Sequence, residues 1–259
     1  MSKKQGQSPY SISQNFLTSR KIIDKLISKT TINQNDTVLE IGAGKGHITK
    51  ALSEKCGAVI SYEIDRNLYT KLKPQLNNNV KLCCGDFLKC RLPNTPYKVF
   101  ANIPFSRTTE IIRKLTSSEN LPTDIWLIME KGAAKRFCGL PKDNLNSLLL
   151  KPFFDLKIIW HFNRQDFHPA PNTDVVMLQM KLKEQADIQY REKADYKAFL
   201  SHSIKNGIFG SRALLTKKQI STALKSAKLP MIPQTGDISY IQWLCLFRCR
   251  LKFEKNKRG

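Results

Sequence analysis

Residues 37–46, TVLEIGAGKG, run from an apolar strand straight into Gly42, Gly44 and Gly46, and the helical pattern of GHITKALSEKC (46–56) starts on the last of them. A strand, a glycine turn and a helix in immediate succession open a βα unit. The rhythm continues downstream through AVISYEI (58–64), a helix from Asn67 to Leu76, VKLCCGD (80–86), YKVFANI (97–103), the helix TTEIIRKLTSS (108–118) and DIWLIME (124–130). Apolar strands alternating with helices predict an α/β fold, a parallel sheet covered on both faces. Upstream, SRKIIDKLISK (19–29) puts Ile22, Ile23, Leu26 and Ile27 on one helical face behind a cap at Ser19 or Thr18.

Further along, LKIIWHF (156–162) and VVMLQMKL (175–182) are separated only by a Pro-containing loop. They are expected to complete the sheet with an antiparallel element. After about Lys183 the strand signals stop. DYKAFLSHSI (195–204), TKKQISTALKSAK (216–228) and ISYIQWLCLFRCRL (238–251) all carry helical spacing. The division expected is a first domain at 1–182 and a small, all-helical C-terminal domain at 183–259.

Charge narrows the partner. The 259 residues hold 43 Lys and Arg against 21 Asp and Glu, a net charge of +22. With 41% hydrophobic residues the chain is a globular protein and not a disordered one. A basic surplus of this size points to a polyanion, nucleic acid before an acidic membrane surface. From residue 182 onward there are 16 basic and 6 acidic residues, so the helical part is the more basic per residue. The seven cysteines include no C-x-x-C pair, and the four histidines do not cluster with them. Neither a metal site nor a disulfide framework is expected, and a reducing cytoplasm is the simplest setting. The N-terminal MSKKQGQSPYS lacks the apolar run of a secretory signal, and no stretch approaches the length of a membrane span.

Three features mark a ligand site. The glycine spacing is G-x-G-x-G with Glu40 ahead of it, which suits a cofactor with a positive centre and disfavours a pyrophosphate. Glu63 ends the second strand of the series, about 20 residues on, where an acid can accept both hydroxyls of a ribose. Asp86 ends the third, where a carboxylate can accept from an exocyclic amine. Then comes Asn102-Ile103-Pro104-Phe105, after the fourth strand. It matches the N-[IL]-P-[FY] pattern of amino-group methyltransferases. An aromatic amine such as adenine N6 is a poor nucleophile because its lone pair is delocalised. The Asn102 oxygen and the Ile103 carbonyl can accept its two N–H bonds, Pro104 fixes the turn, and Phe105 offers a face for a flipped base.

Together with Ser13-Gln14-Asn15-Phe16-Leu17, Met129-Glu130-Lys131-Gly132 and Asp166-Phe167-His168-Pro169, these residues make the chain resemble the rRNA adenine N6-dimethyltransferase superfamily over nearly its whole length. Within it the resemblance is to the erythromycin-resistance (Erm) methyltransferases of 23S rRNA. That likeness implies a Rossmann-like, S-adenosylmethionine-dependent methyltransferase domain. It also carries over Asn15, Leu17, Gly42, Gly44, Glu63, Ile64, Asp86, Phe87 and Asn102 as cofactor contacts, and Asn102 to Phe105 as catalytic. It implies mono- and dimethylation of adenine N6 in 23S rRNA, with resistance to macrolides, lincosamides and streptogramin B. A departure is Ser106-Arg107, which adds positive charge beside the target pocket.

Arg107, Arg113, Lys131, Arg136, Arg164, Lys217 and Lys218 are candidate RNA contacts, with Lys114 and Lys135 on the same path, and binding through them would be strongly salt-dependent. Phe167 is read as either a base contact or core. Two alternatives stay open: a small-subunit rRNA adenine dimethyltransferase, and a noncatalytic nucleic-acid-binding relative. Nothing in a single pair of modest domains suggests more than a monomer.

Overall fold

In the computed structural model, residues 15–233 and 237–258 are described. The strands are β1 (Phe16–Leu17), β2 (Thr37–Ile41), β3 (Ala58–Glu63), β4 (Val80–Cys84), β5 (Lys98–Asn102), β6 (Asp124–Glu130), β7 (Phe154–His161), β8 (Phe167–His168) and β9 (Val175–Leu182). The helices are α1 (Arg20–Ile27), α2 (His47–Ser53), α3 (Arg66–Leu72), α4 (Thr108–Ser117), α5 (Lys131–Cys138), α6 (Leu145–Leu150), α7 (Lys193–Asn206), α8 (Lys217–Ser226) and α9 (Tyr240–Arg258). Seven strands form one sheet in the order β4-β3-β2-β5-β6-β9-β7. The pairs from β4 through β6 are parallel, and β9 runs antiparallel to β6. This is the Rossmann-like α/β sheet expected from the sequence, finished by the expected antiparallel strand. Its strand order reverses on either side of β2, the switch point at which such sheets bind ligands beyond their strand ends.

Local chemistry fixes the helix ends. Ser19 caps α1 by accepting from the Ile22 amide, and Ile23, Leu26 and Ile27 turn inward. The expected helix 67–76 is shorter. Asp65 caps it at Arg66, and past Leu72 the chain tightens into a 3-10 turn at residues 73–75 that contains Pro74, which lacks an N–H. In β6 every residue from Asp124 to Met129 is buried, as a central strand covered on both faces must be. The α1 face packs with Leu52, Val59, Phe100, Trp126 and Met177 in one core. Phe167 belongs to this core too, tilted against Phe162 at 5.2 Å. Its neighbour His168 is exposed and pairs with Phe16 across β1 and β8.

The chain divides into two compact units, residues 1–134 with 155–182, and residues 135–154 with 183–259. In the second unit, Tyr196, Phe199, Trp243 and Phe247 stack edge to face in a helical core. Segment 135–154 is tied into this unit by Asp143. That carboxylate takes the Tyr240 amide at the start of α9 (3.0 Å), the Ser147 hydroxyl (2.9 Å) and the Lys151 ammonium. Among the described residues no helix is long and apolar enough to cross a membrane. Nor does any cluster of His, Cys, Asp and Glu there offer a metal site.

Candidate active site

The C-terminal ends of β2, β3, β4 and β5 open on one cavity of about 300 Å³. Its lining includes Asn15, Leu17, Gly42, Gly44, Glu63, Ile64, Asp86, Phe87 and the whole Asn102–Phe105 turn. All of the proposed cofactor and catalytic positions thus meet at one place, although they are spread over some ninety residues of sequence. Parallel strands explain the convergence, since each strand delivers its last residue to the same edge of the sheet.

The glycine turn is held from β3. The amides of Gly42 and Ala43 both donate to the Tyr62 carbonyl, at 2.8 and 3.1 Å. Gly42 has φ +81°, and a Cβ there would meet nothing within 4 Å, so its bare face leaves room for a ligand. At Gly44 (φ +55°) a Cβ would come within 2.7 Å of the Phe16 ring. Phe16 therefore lies against the turn, and Lys45 stands 5.2 Å over its ring. Phe16 and Tyr62 are cavity residues that sequence reasoning did not single out, although Phe16 lay inside the quoted signature. Ser13 and Gln14, which open that signature, lie outside the described residues.

Glu63 is buried and accepts the Gly44 amide at 2.6 Å and the Asp65 amide at 2.8 Å, one on each oxygen. Burial raises its pKa, against the pull of those two amides. Each oxygen keeps a further acceptor position, which suits a ribose diol. Asp86 accepts the Leu88 amide at 2.9 Å, and Arg107 lies 3.2 Å from its carboxylate. Burial pushes the Asp86 carboxyl upward, but the Leu88 amide and the Arg107 guanidinium outweigh it and hold the group below its ordinary value. Phe87 closes the wall beside it. The residues present fit S-adenosylmethionine: paired acceptors for a ribose, an acceptor and an apolar wall for an adenine, and a glycine face with open space.

Asn102 ends β5 with its amide orientation fixed. Its Nδ2 donates to the Asn15 carbonyl at 2.8 Å, and since only the NH₂ can do so, Oδ1 is left as an acceptor. Behind it, the Ile103 amide is anchored to the Ile128 carbonyl, and the turn closes with the Arg107 amide on the Pro104 carbonyl. Phe105 is partly buried against the main core.

Glu40 departs from expectation, for it does not line the cavity. Its neighbour Ile41 does, and strand pleating turns successive side chains to opposite faces. Glu40 is buried behind the turn, where its Oε2 takes the hydroxyls of Thr49 and Ser61, both at 2.6 Å. Its carboxyl is pushed up to about 7 by burial, which outweighs those two hydroxyl bonds, while the charge of Glu63 adds to the rise. A raised folded-state value means that the folded chain holds this proton above the ordinary value of 4.5. The stability it contributes is full below that value and is lost as pH climbs to about 7. Glu40→Gln stays neutral throughout. Wild-type melting temperature should fall by several degrees between about pH 5 and pH 8, and the variant's should fall less. Parallel melting curves for the two proteins would refute this.

Basic residues fare unequally. Lys114 is withdrawn into the fold, its ammonium donating to the carbonyls of Leu88 (2.9 Å) and Cys90 and lying 5.2 Å over the Phe87 ring. Lys131 and Arg164 share Asp174, at 3.2 and 3.6 Å. Arg113, Lys135, Arg136, Lys217 and Lys218 are exposed.

Comparison with known proteins places the chain in a family. A family profile described as ribosomal RNA adenine dimethylase matches residues 7–234. The rRNA adenine N-6-methyltransferase of Lysinibacillus sphaericus is 35% identical over 238 residues, covering 91% of this chain and 93% of that one. Two solved structures share the fold. The 23S rRNA methyltransferase ErmE has a TM-score of 0.79 at 22% identity, covering 92% of this chain and 100% of that one. A dimethyladenosine transferase from Plasmodium falciparum has a TM-score of 0.72 at 23% identity, covering 92% and 97%. The chain belongs to the ribosomal RNA adenine dimethylase family, whose members are S-adenosylmethionine-dependent methyltransferases.

Proposed function

We propose that this protein methylates N6 of one adenine in 23S rRNA, once and then again, so that macrolides, lincosamides and streptogramin B lose their binding site. The observation that carries the reading is the Asn102–Phe105 turn opening on the same cavity as Gly42, Glu63 and Asp86. A base amine held by that turn and a methyl donor held by those acids would face each other at short range. Support for the 23S target over the small subunit comes from the Erm-like Ser13-Gln14-Asn15-Phe16, from Ile103, and from the Thr108–Lys114 run of α4.

Bound S-adenosylmethionine supplies an electrophilic methyl group on a sulfonium. The protein's part is positioning. Asn102 Oδ1 and the Ile103 carbonyl accept the two N–H bonds of the target amine and draw its lone pair out of the ring plane's conjugation. Phe105 stacks on the extruded base, and Pro104 keeps the turn rigid. Orienting two reactants this way lowers the barrier without an added acid or base, because the amine loses its N–H proton to water only after the methyl group has arrived. Exposed Arg113, Arg136, Lys217 and Lys218, and the half-paired Lys131 and Arg164, hold phosphates. Residues 183–259, with the segment 135–154 that packs into the same unit, act as an RNA-holding domain, the rest of 1–182 acts as the catalytic domain, and the enzyme works as a cytoplasmic monomer.

The test is methyl transfer from labelled S-adenosylmethionine to protein-free 23S rRNA and to assembled small ribosomal subunits in parallel. Products are digested and scored for N6-methyl- and N6,N6-dimethyladenosine. Label confined to 23S rRNA is expected. Label confined to the small subunit would overturn the target while leaving the chemistry in place.

A further inference from the structure

Arg107 stands between the two halves of the cavity. It closes the turn Phe105–Arg107 that leads into α4, and it lines the cavity together with Phe105 and Asp86. A single nitrogen, Nη1, is shared between both Asp86 oxygens at 3.3 and 3.2 Å. The other, Nη2, donates to Glu110 at 3.1 Å. Charge-assisted N–H···O bonds are ordinarily about 2.7–2.9 Å, and the strong arginine–carboxylate form uses two nitrogens on two oxygens. The hold on Asp86 is therefore loose, and Glu110 tethers the guanidinium independently of it. The loop carrying Asp86 does not depend on Arg107 either. Lys114 pins it through the Leu88 and Cys90 carbonyls, and the Leu88 amide orients the carboxylate.

We propose that Arg107 is an exchangeable latch, seated on Asp86 when the cofactor is absent and transferred to an RNA phosphate beside the target base when the cofactor's adenine takes Asp86. This rests on the reading of Asp86 as the acceptor for the adenine amine. The amine needs the oxygens that Nη1 now spans. Once displaced, the guanidinium keeps Glu110 and faces the mouth of the cavity, two residues past Phe105, where the backbone flanking an extruded base must pass. Arg107 is thus a positioning residue that couples the two substrates: cofactor binding releases a cation for RNA, and RNA binding in turn clears Asp86 for the cofactor.

S-adenosylhomocysteine, which lacks the sulfonium charge, is the probe, and calorimetry with wild type, Arg107→Ala, Asp86→Ala and the double variant is the experiment. Removing a partly exposed ionic competitor should tighten its binding about threefold in Arg107→Ala. The same change should have no effect on the Asp86→Ala background. Binding of protein-free 23S rRNA to wild type should strengthen about as much when S-adenosylhomocysteine is saturating, and in Arg107→Ala that gain should vanish. If Arg107→Ala leaves cofactor affinity unchanged or weakens it, while Asp86→Ala still loses affinity, the latch is wrong and the Asp86 reading survives. Unchanged affinity in Asp86→Ala would remove both. The cofactor titrations contain no RNA, so they hold whichever rRNA is the substrate.

Discussion

Replacing Asn102 with alanine is expected to cut methyl transfer by about 10²- to 10⁴-fold, with the fold intact and RNA affinity close to wild type. The size follows from what the side chain does in the transition state. An aromatic amine becomes nucleophilic only as its lone pair leaves conjugation, and an acceptor aimed at its N–H bonds gains strength as that happens. An interaction that grows along the reaction lowers the rate constant when it is removed, not merely the affinity. Single-turnover transfer beside RNA-binding isotherms separates the two quantities. Asn102→Asp sharpens the result. It keeps an acceptor for the target amine but loses the Nδ2 donor to the Asn15 carbonyl, now 2.8 Å away. It should therefore retain more transfer than alanine but less than wild type. Transfer at the wild-type rate in Asn102→Ala would end the assignment of this turn as the catalytic one.

Much of the site was legible in the sequence because parallel topology needs so little information. Once TVLEIG, AVISYEI, VKLCCGD and YKVFANI are read as successive parallel strands, Gly42, Glu63, Asp86 and Asn102 must arrive at one edge. Chain order alone carries that inference, with no knowledge of side-chain contacts. The residues that escaped are those whose roles depend on contacts between distant segments. Glu40 was judged by its place before the glycines, whereas the pleat of β2 turns it away from the cavity. Lys114 looked like one more surface cation, yet carbonyls 24 and 26 residues earlier capture it. Helices α5 and α6 were not foreseen at all. Gly132, Gly139, Pro141 and Pro152 interrupt any apolar period there, and the tie through Asp143 to Tyr240 spans 97 residues. Local pattern specifies elements, and long-range polar contacts decide which charges remain free.

Glu63→Gln should weaken S-adenosylhomocysteine binding about a hundredfold or more, the largest effect expected of any cofactor contact. The substitution changes almost no volume, so its cost is one of hydrogen-bond roles. Both Glu63 oxygens already accept a backbone amide, from Gly44 at 2.6 Å and Asp65 at 2.8 Å, and a ribose diol takes the remaining lone pairs. A glutamine must set its NH₂ against one of those amides, donor against donor, and can offer the diol only one acceptor, now neutral. Hydrogen bonds to a charged acceptor contribute about 1.5–3 kcal/mol each, so losing one and weakening the other amounts to roughly 3 kcal/mol. Part of that loss belongs to the turn itself. With Gly44 released, the glycine turn keeps only its anchors on the Tyr62 carbonyl, and a modest fall in melting temperature should accompany the lost affinity. The two effects separate cleanly in calorimetry and thermal melting. A lower melting temperature with unchanged affinity would make Glu63 a pin for the glycine turn and nothing more, and the ribose would need another acceptor. A hundredfold loss with the turn still stable would instead put the diol directly on this carboxylate.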